Sequence, residues 1–273
     1  IDQQQLNLLS EKIKARIEDF DRNYSRFRSD SLVTSISKMA GTYLLPADAK
    51  QLFDLYEEIY KISEGYVTPL VGGLMEDAGY DANYSLQAVE HDQVRKVDAW
   101  EDVLEYRYPN LVVKKPVLLD FGAAGKGYLI DIVGALLQNN GIDSFCIDAG
   151  GDILYRNQAD DVLRVGLEHP EDFSKAIGVV GLLNKSICGS AGNRRKWGEF
   201  HHIMDPFKRS STKDVLATWV VAESTILADI IATCLFFMDA KKLTQYYNFE
   251  YLILEPNYSF KKSLNFSAEL FIQ

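Results

Sequence analysis

A lysine flanked by glycines sits in "LLDFGAAGKGYLID", Leu118 to Asp131, with the carboxylates Asp120 and Asp131 on either side. Glycines, a lysine and a following helix-like run suggest a phosphate loop, yet neither common motif fits. A Walker A loop has four residues between its first glycine and Gly-Lys-Ser/Thr. Here two residues separate Gly122 from Gly125-Lys126, and Gly127 stands where the hydroxyl residue belongs. The G-x-G-x-x-G spacing of a dinucleotide fingerprint is also absent. If "VLLDFGA" ends a strand and "GYLIDIVGALL" is a helix, the loop offers free N–H groups and the positive end of a dipole to an anion. Lys126 then adds a point charge, and the glycines let backbone approach a ligand closely. A tight turn with a solvated lysine is the alternative.

Three further stretches carry chemistry. In "CIDAGGDIL", Gly150 and Gly151 lie between Asp148 and Asp152, which permits close approach to a flat or charged group or makes a plain turn. In "KWGEFHHIMDP", His201 and His202 are adjacent, so on a strand they face opposite ways and one of them at most faces a site. Asp205-Pro206 reads as a turn. A histidine in such a chain is either structural or a base near neutral pH. In "ADIIATCLFF", Asp229 and Thr233 share one helix face among apolar neighbours. A buried aspartate there is costly unless it caps, pairs or binds metal. A carboxylate with a hydroxyl, both hard oxygen ligands, suits Mg²⁺.

The elements that position these residues follow from periodicity. Residues 3–20 carry Leu6, Leu9, Ile13 and Ile17 at helical spacing, and residues 47–63 carry Leu52, Leu55, Ile59 and Ile62. "DFDRNYSRFRSDS" reads as a structured loop, and "SEGYVTPLVGGLMEDAGYD" as a turn region with short helical character. Strands are predicted at "LVVKKP", "VLLDFG", "SFCIDAGG", "DILYR", "LRVGLE", "AIGVVGLL" and "KSICGSA", and later at "YLILEP" and "ELFIQ". "GKGYLIDIVGALLQNNG" is predicted as a helix stopped by Asn139-Asn140-Gly141, and "ESTILADIIATCLFFMDA" as a strongly apolar helix. The expected fold class is α+β, a single domain over 1–273 with a mostly antiparallel sheet core and inserted helices.

Composition bounds the rest. The 273 residues support a substantial core, and 47% apolar with 25% charged residues is ordinary globular usage. No apolar run approaches the roughly 18–20 residues of a membrane span. A formal net charge of −10 argues against non-specific nucleic-acid binding, while leaving room for a local basic pocket. Cys146, Cys188 and Cys234 lack metal-ligand spacing and read as buried, inert thiols. The odd count favours a reducing compartment. The abrupt polar start suggests that a leader or first strand precedes this sequence. The cytoplasm is the expected location, with a membrane-anchored lipoprotein of the cell envelope as the alternative if a leader is missing.

In this order, "DFGAAGKGYLID", "AGGD", "HHIMDP" and "ADIIAT" resemble the motifs of the ApbE family, the FAD:protein FMN transferases. "NYSRFRSDS" is similar to the family's Ser-x-Phe/Tyr segment, and "EGYVTPLVGG" to its Gly-x-Phe-Asp-Pro segment, with Val67 and Thr68 in place of the aromatic and the acid. The family's Met-Gly-Thr strand is missing, Ala123 replaces a glycine, and Ala191-Gly192-Asn193 stands where many members carry Gly-x-Tyr. The resemblance implies an ApbE-like fold and Mg²⁺-dependent transfer of FMN from FAD to a threonine hydroxyl of an acceptor protein that carries a Thr/Ser motif, with release of AMP. It implies that Asp229, Thr233 and the carbonyl of Ala123 bind Mg²⁺, that Lys126 faces the pyrophosphate and that His202 helps deprotonate the acceptor. Phe27, Tyr66, Val67, Thr68, Asp120 and Ile203 match positions that line the FAD pocket, and Gly150, Gly151 and Asp152, which match the Gly-Gly-Asp motif, are likewise expected to bind the FAD. A Mg²⁺-dependent FAD pyrophosphatase yielding FMN and AMP, and a non-enzymatic flavin-binding module, are the competing readings.

Overall fold

The computed structural model describes residues 2–193 and 195–271. By packing they fall into two compact units, the first within 1–14, 126–195 and 212–273, the second within 15–125 and 196–211. The element order is mixed helix and strand, and all ladders are antiparallel.

The second unit takes in the end of α1 (Gln3–Tyr24), then α2 (Leu32–Ile36), β1 (Gly41–Leu44), α3 (Ala49–Ile62), α4 (Gly72–Asp77), α5 (Trp100–Val103), β2 (Leu104–Arg107) and β3 (Asn110–Val113). β1, β3 and β2 make a three-stranded sheet in that order. Of the predicted apolar stripe of α3, Leu52, Ile59 and Ile62 are buried and Leu55 is half-buried, while Phe53 and Tyr56 complete the buried face. The predicted strand "VLLDFG" does not form. Leu119 and Phe121 are buried there, and the Asp120 N–H donates to Pro69 O at 2.7 Å instead of to a ladder. The Phe121 ring sits 5.3 Å from the rings of both Phe53 and Tyr56 and 5.7 Å from Tyr24. Side-chain packing, not strand pairing, therefore fixes this segment. The loop predicted from residue 19 also begins later, because α1 runs on to Tyr24.

The first unit holds α6 (Gly125–Asn139, from Lys126 on), β4 (Phe145–Asp148), β5 (Ile153–Arg156), β6 (Leu163–His169), β7 (Asp172–Leu182) and β8 (Ser186–Ala191). The short strands β9 (Lys196–Trp197), β10 (Phe200–His201), β11 (Met204–Asp205) and β12 (Ser210–Ser211) belong to the second unit. β13 (Ala217–Ala222), α7 (Thr225–Cys234), α8 (Ala240–Leu243), β14 (Glu250–Leu254), β15 (Phe260–Lys262) and β16 (Ala268–Leu270) complete the first. Its six-stranded sheet runs β15-β14-β13-β8-β5-β4, and a three-stranded sheet runs β16-β7-β6. Ile153, Ile187, Trp219 and Leu252 of the large sheet share one core with Leu167, Ile177 and Val180 of the small one. α7 covers the other face, against β8 and β13.

β13 is buried along its whole length, so it shows no alternation and escapes a search for half-buried strands. α7 ends at Cys234, short of the predicted span. Asp239 accepts from the Lys241 N–H at 2.8 Å and so caps a new short helix, α8. Of the predicted final strand, Ala268–Leu270 is β16, and residues 272 and 273 lie outside the described residues.

Candidate active site

In the first unit the motifs converge on the N-terminal turn of α6. Lys126 Nζ pairs with Asp152 Oδ2 at 2.5 Å. Asp152 is 1% exposed, and its Oδ1 accepts from the Gly189 N–H of β8 at 3.1 Å. It stands at the end of the loop joining β4 to β5. There Gly150 and Gly151 have φ of +72° and +97°, a region costly for residues with a Cβ, and Asp148 Oδ1 accepts from the Gly151 N–H at 2.9 Å. The double glycine thus turns the chain so that Asp152 points inward.

Asp229, on α7, is 5% exposed, and its Oδ2 accepts from the Gly127 N–H at 2.8 Å. A Cβ on residue 127 would meet Thr225 O at 2.4 Å and Asp229 Cβ at 2.7 Å, so only glycine allows this approach of α6 to α7. Asp131, one turn further along α6, accepts from the Thr225 and Ile226 N–H groups, both at 2.8 Å. It caps α7 from a neighbouring helix, while Ser224, the sequence-local cap position, makes no side-chain cap bond. The two carboxylates that bracket Lys126 in sequence therefore have other duties. Asp131 orients α7, and in the second unit Asp120 holds a loop.

Burial pushes the Asp229 carboxyl well above the usual carboxylate range, the charge of Asp152 adds to this, and Lys126 and the Gly127 N–H oppose it. Burial also works against the Lys126 ammonium, but Asp152 and Asp229 outweigh it and hold the pKa above its ordinary value. Cys188, fully buried on β8, joins Asp152 and Asp229 in a group whose ligand atoms lie within 4.8 Å of one another. Burial, then the two carboxylates, drive its thiol pKa far up, and its S–H points to Thr225 O at 3.6 Å. Asp152 and Asp229 thus bring two buried carboxylates close together, oxygen donors of the type that hard divalent cations take, and Thr233 is half-buried one turn after Asp229.

The second unit gathers the other predicted residues. Phe27 lies edge-on to Tyr80 at 5.5 Å. Asp120 Oδ2 accepts from Arg26 Nε at 2.5 Å and its Oδ1 from the Gly122 N–H at 2.7 Å, which shapes the loop carrying the half-buried Ala123. Arg26 is 5% exposed, donates also to Tyr80 O at 2.7 Å, and lies 4.2 Å from the Phe27 centroid. Sequence reasoning passed over it, because its partner Asp120 is remote in the chain. Tyr66 meets Phe207 edge-on at 4.8 Å, Val67 is buried, and Thr68 accepts from the Leu70 N–H at 3.2 Å.

His201 is tied into its own backbone: its N–H donates to Ser211 Oγ at 2.7 Å and its Nδ1 accepts from the Ile203 N–H at 3.3 Å. β10 ends at His201, so strand alternation does not by itself set the direction of His202; the hairpins around Gly198 and Asp205-Pro206 leave no longer strand. The expected turn at Asp205 is present, with Oδ1 accepting from the Phe207 and Lys208 N–H groups at 2.9 Å each. Ile203 is buried.

A model of the ApbE family matches residues 1–253. FAD:protein FMN transferases from Vibrio cholerae and Escherichia coli are 23% and 22% identical over 86% and 93% of this chain, which spans 74% and 78% of them. One from Rhodobacter capsulatus is 27% identical over 63% of the chain, which spans only 35% of that relative's length. The crystal structure of an ApbE protein from Thermotoga maritima superposes with a TM-score of 0.85 at 20% identity, covering 95% of this chain and 90% of that one. The flavin transferase ApbE from Vibrio cholerae gives a TM-score of 0.78 at 19% identity, covering 96% and 89%. At these identities the two structures establish the fold.

Proposed function

The chain belongs to the ApbE family, and from that premise we propose that it transfers FMN from FAD to a threonine or serine hydroxyl of an acceptor protein, releasing AMP. The observation that carries this reading is Asp229: a desolvated carboxylate, close to a second one, at the start of a glycine-lysine helix turn. A buried charge of that kind is stable when a cation offsets it. Asp229, Thr233 and the Ala123 carbonyl are the proposed Mg²⁺ ligands. When bound, the ion supplies charge neutralisation to a pyrophosphate.

Lys126 spends one of its three N–H donors on Asp152, and the others serve a phosphate oxygen. Gly150, Gly151 and Asp152 form the turn that supports it. Phe27, Tyr66, Val67, Thr68, Asp120 and Ile203 are assigned to the flavin. His202 takes the acceptor's hydroxyl proton while the oxygen forms its bond to the FMN phosphorus and the bond to the AMP oxygen breaks. Positioning and charge carry such a reaction, and the residue types match both demands.

The test is incubation of the protein with FAD, Mg²⁺ and a flavin-accepting domain, followed by mass spectrometry. A domain heavier by one FMN less one water is the expected product. Release of FMN and AMP with no acceptor present would identify a pyrophosphatase instead. Binding of FAD without turnover would leave a flavin-binding module.

A further inference from the structure

In the second unit, Tyr84 stands on the loop that follows α4 and is 55% exposed. Its ring is parallel to that of Phe27, at an interplanar angle of 9° and a centroid distance of 5.2 Å. It is edge-on to Tyr80 at 5.5 Å and 81°. Tyr80 is itself buried and stacked on Trp197 at 5.3 Å. Phe27 and Tyr80 also flank the Arg26 guanidinium, at 4.2 and 5.0 Å. Tyr84 is therefore the outermost ring of an aromatic stack whose inner members are fixed.

The backbone presents this ring at a cost. Tyr84 and Leu86 have φ of +52° and +53°, a region that bulky residues rarely enter. Hydrogen bonds hold the conformation: Asp81 Oδ1 accepts from the Asn83 and Ser85 N–H groups at 2.8 and 3.0 Å. The Tyr84 N–H donates to Asp81 O at 3.1 Å, and the Leu86 N–H to Gly79 O at 2.9 Å. A solvent-exposed tyrosine has no need of such a frame, whereas one that must meet a flat ligand does.

We propose that Tyr84 supplies the stacking face for the isoalloxazine ring of the flavin and so helps set the site's preference for flavins. The inference rests on the reading above, which assigns Phe27 to the flavin. Phe27 and Tyr84 are already in contact, so a third ring stacks on the outer face of Tyr84 and not between the two. Offset stacking of flat π-systems stabilises such a contact.

The experiment titrates FMN and, separately, AMP into the parent protein and into Tyr84→Phe, Tyr84→Ala and Tyr84→Gly, with thermal melts of each. Parent and Tyr84→Phe are expected to bind FMN alike. Tyr84→Ala and Tyr84→Gly are expected to bind it roughly 10- to 100-fold more weakly, the span of an aromatic stacking contact. AMP binding should not change. Glycine accepts a positive φ, so Tyr84→Gly keeps its melting temperature, and its lost affinity cannot be ascribed to unfolding. Unchanged or tighter FMN binding in the alanine and glycine variants would overturn the proposal, as would a loss confined to AMP. A parent that binds no flavin at all would instead bring down the underlying reading, and this inference with it.

Discussion

Asp229 separates a ligand role from a packing role better than any other side chain here. Asp229→Asn keeps an oxygen to accept the Gly127 N–H and removes a carboxyl group whose ionisation burial opposes. It should fold at least as stably as the parent while losing FMN transfer at every Mg²⁺ concentration. Thermal melts beside a Mg²⁺ titration of turnover check this, and undiminished turnover at low Mg²⁺ removes Asp229 from the ligand set. The histidines make the second contrast. The His201 ring accepts from the Ile203 N–H, while its bond to Ser211 is made by the backbone N–H that alanine keeps, so His201→Ala should keep most activity and lose a little stability. His202→Ala should bind FAD as the parent does and transfer FMN about 10²–10⁴-fold more slowly, the usual contribution of a general base. Single-turnover transfer by both variants decides it; equal losses would sink the assignment of His202.

At the scale of elements, the α6–α7 contact sets the geometry, and it is made by Gly127 and Asp131. Gly127→Ala places a Cβ 2.4 Å from a carbonyl oxygen, so the helices must part. A loss of about 1–3 kcal/mol is expected in denaturant unfolding, with a larger fractional loss of activity because Asp229 moves too. Asp131→Ala removes the cap of α7, worth about 0.5–2 kcal/mol. Its pH dependence has a definite sign. Burial raises the Asp131 pKa above its ordinary 3.8, although the Ile226 and Thr225 N–H groups pull it down. The folded protein therefore holds this proton more tightly than the unfolded chain. The side chain's contribution is fully present below about pH 3.8 and declines as pH rises through the raised value. The gap between parent and Asp131→Ala should accordingly be widest in acid and narrow toward neutrality, as urea unfolding at a series of pH values would measure. These same helices were legible in sequence, because apolar spacing reports a buried face directly. Their contact was not: the cap comes from a residue 94 positions away from Thr225, and no local pattern encodes it. The segment at Leu118–Phe121 misled for a related reason. It has strand composition, but its partners are the aromatic rings of remote helices.

At the scale of the whole molecule, charge opposes the proposed chemistry. The sequence carries a formal −10, and FAD brings an anionic pyrophosphate. Diffusional encounter is therefore against the mean field, and attraction must come from local groups such as Lys126 and a bound cation. The two act over different ranges. Mean-field repulsion reaches about 30 Å at 0.01 M salt and only about 8 Å at 0.15 M. A contact at hydrogen-bond distance is screened far less. Raising monovalent salt over that interval, with Mg²⁺ held constant, should thus speed FAD association, by roughly two- to tenfold, and leave dissociation nearly unchanged. Lys126→Met should keep the same salt response of the association rate but dissociate faster at every salt concentration, since the lost interaction is short-ranged. Stopped-flow flavin fluorescence resolves the two rates. An association rate that falls with salt would mean that a local positive field, not the net charge, governs approach to the site, and would place more cationic side chains there than Lys126 alone.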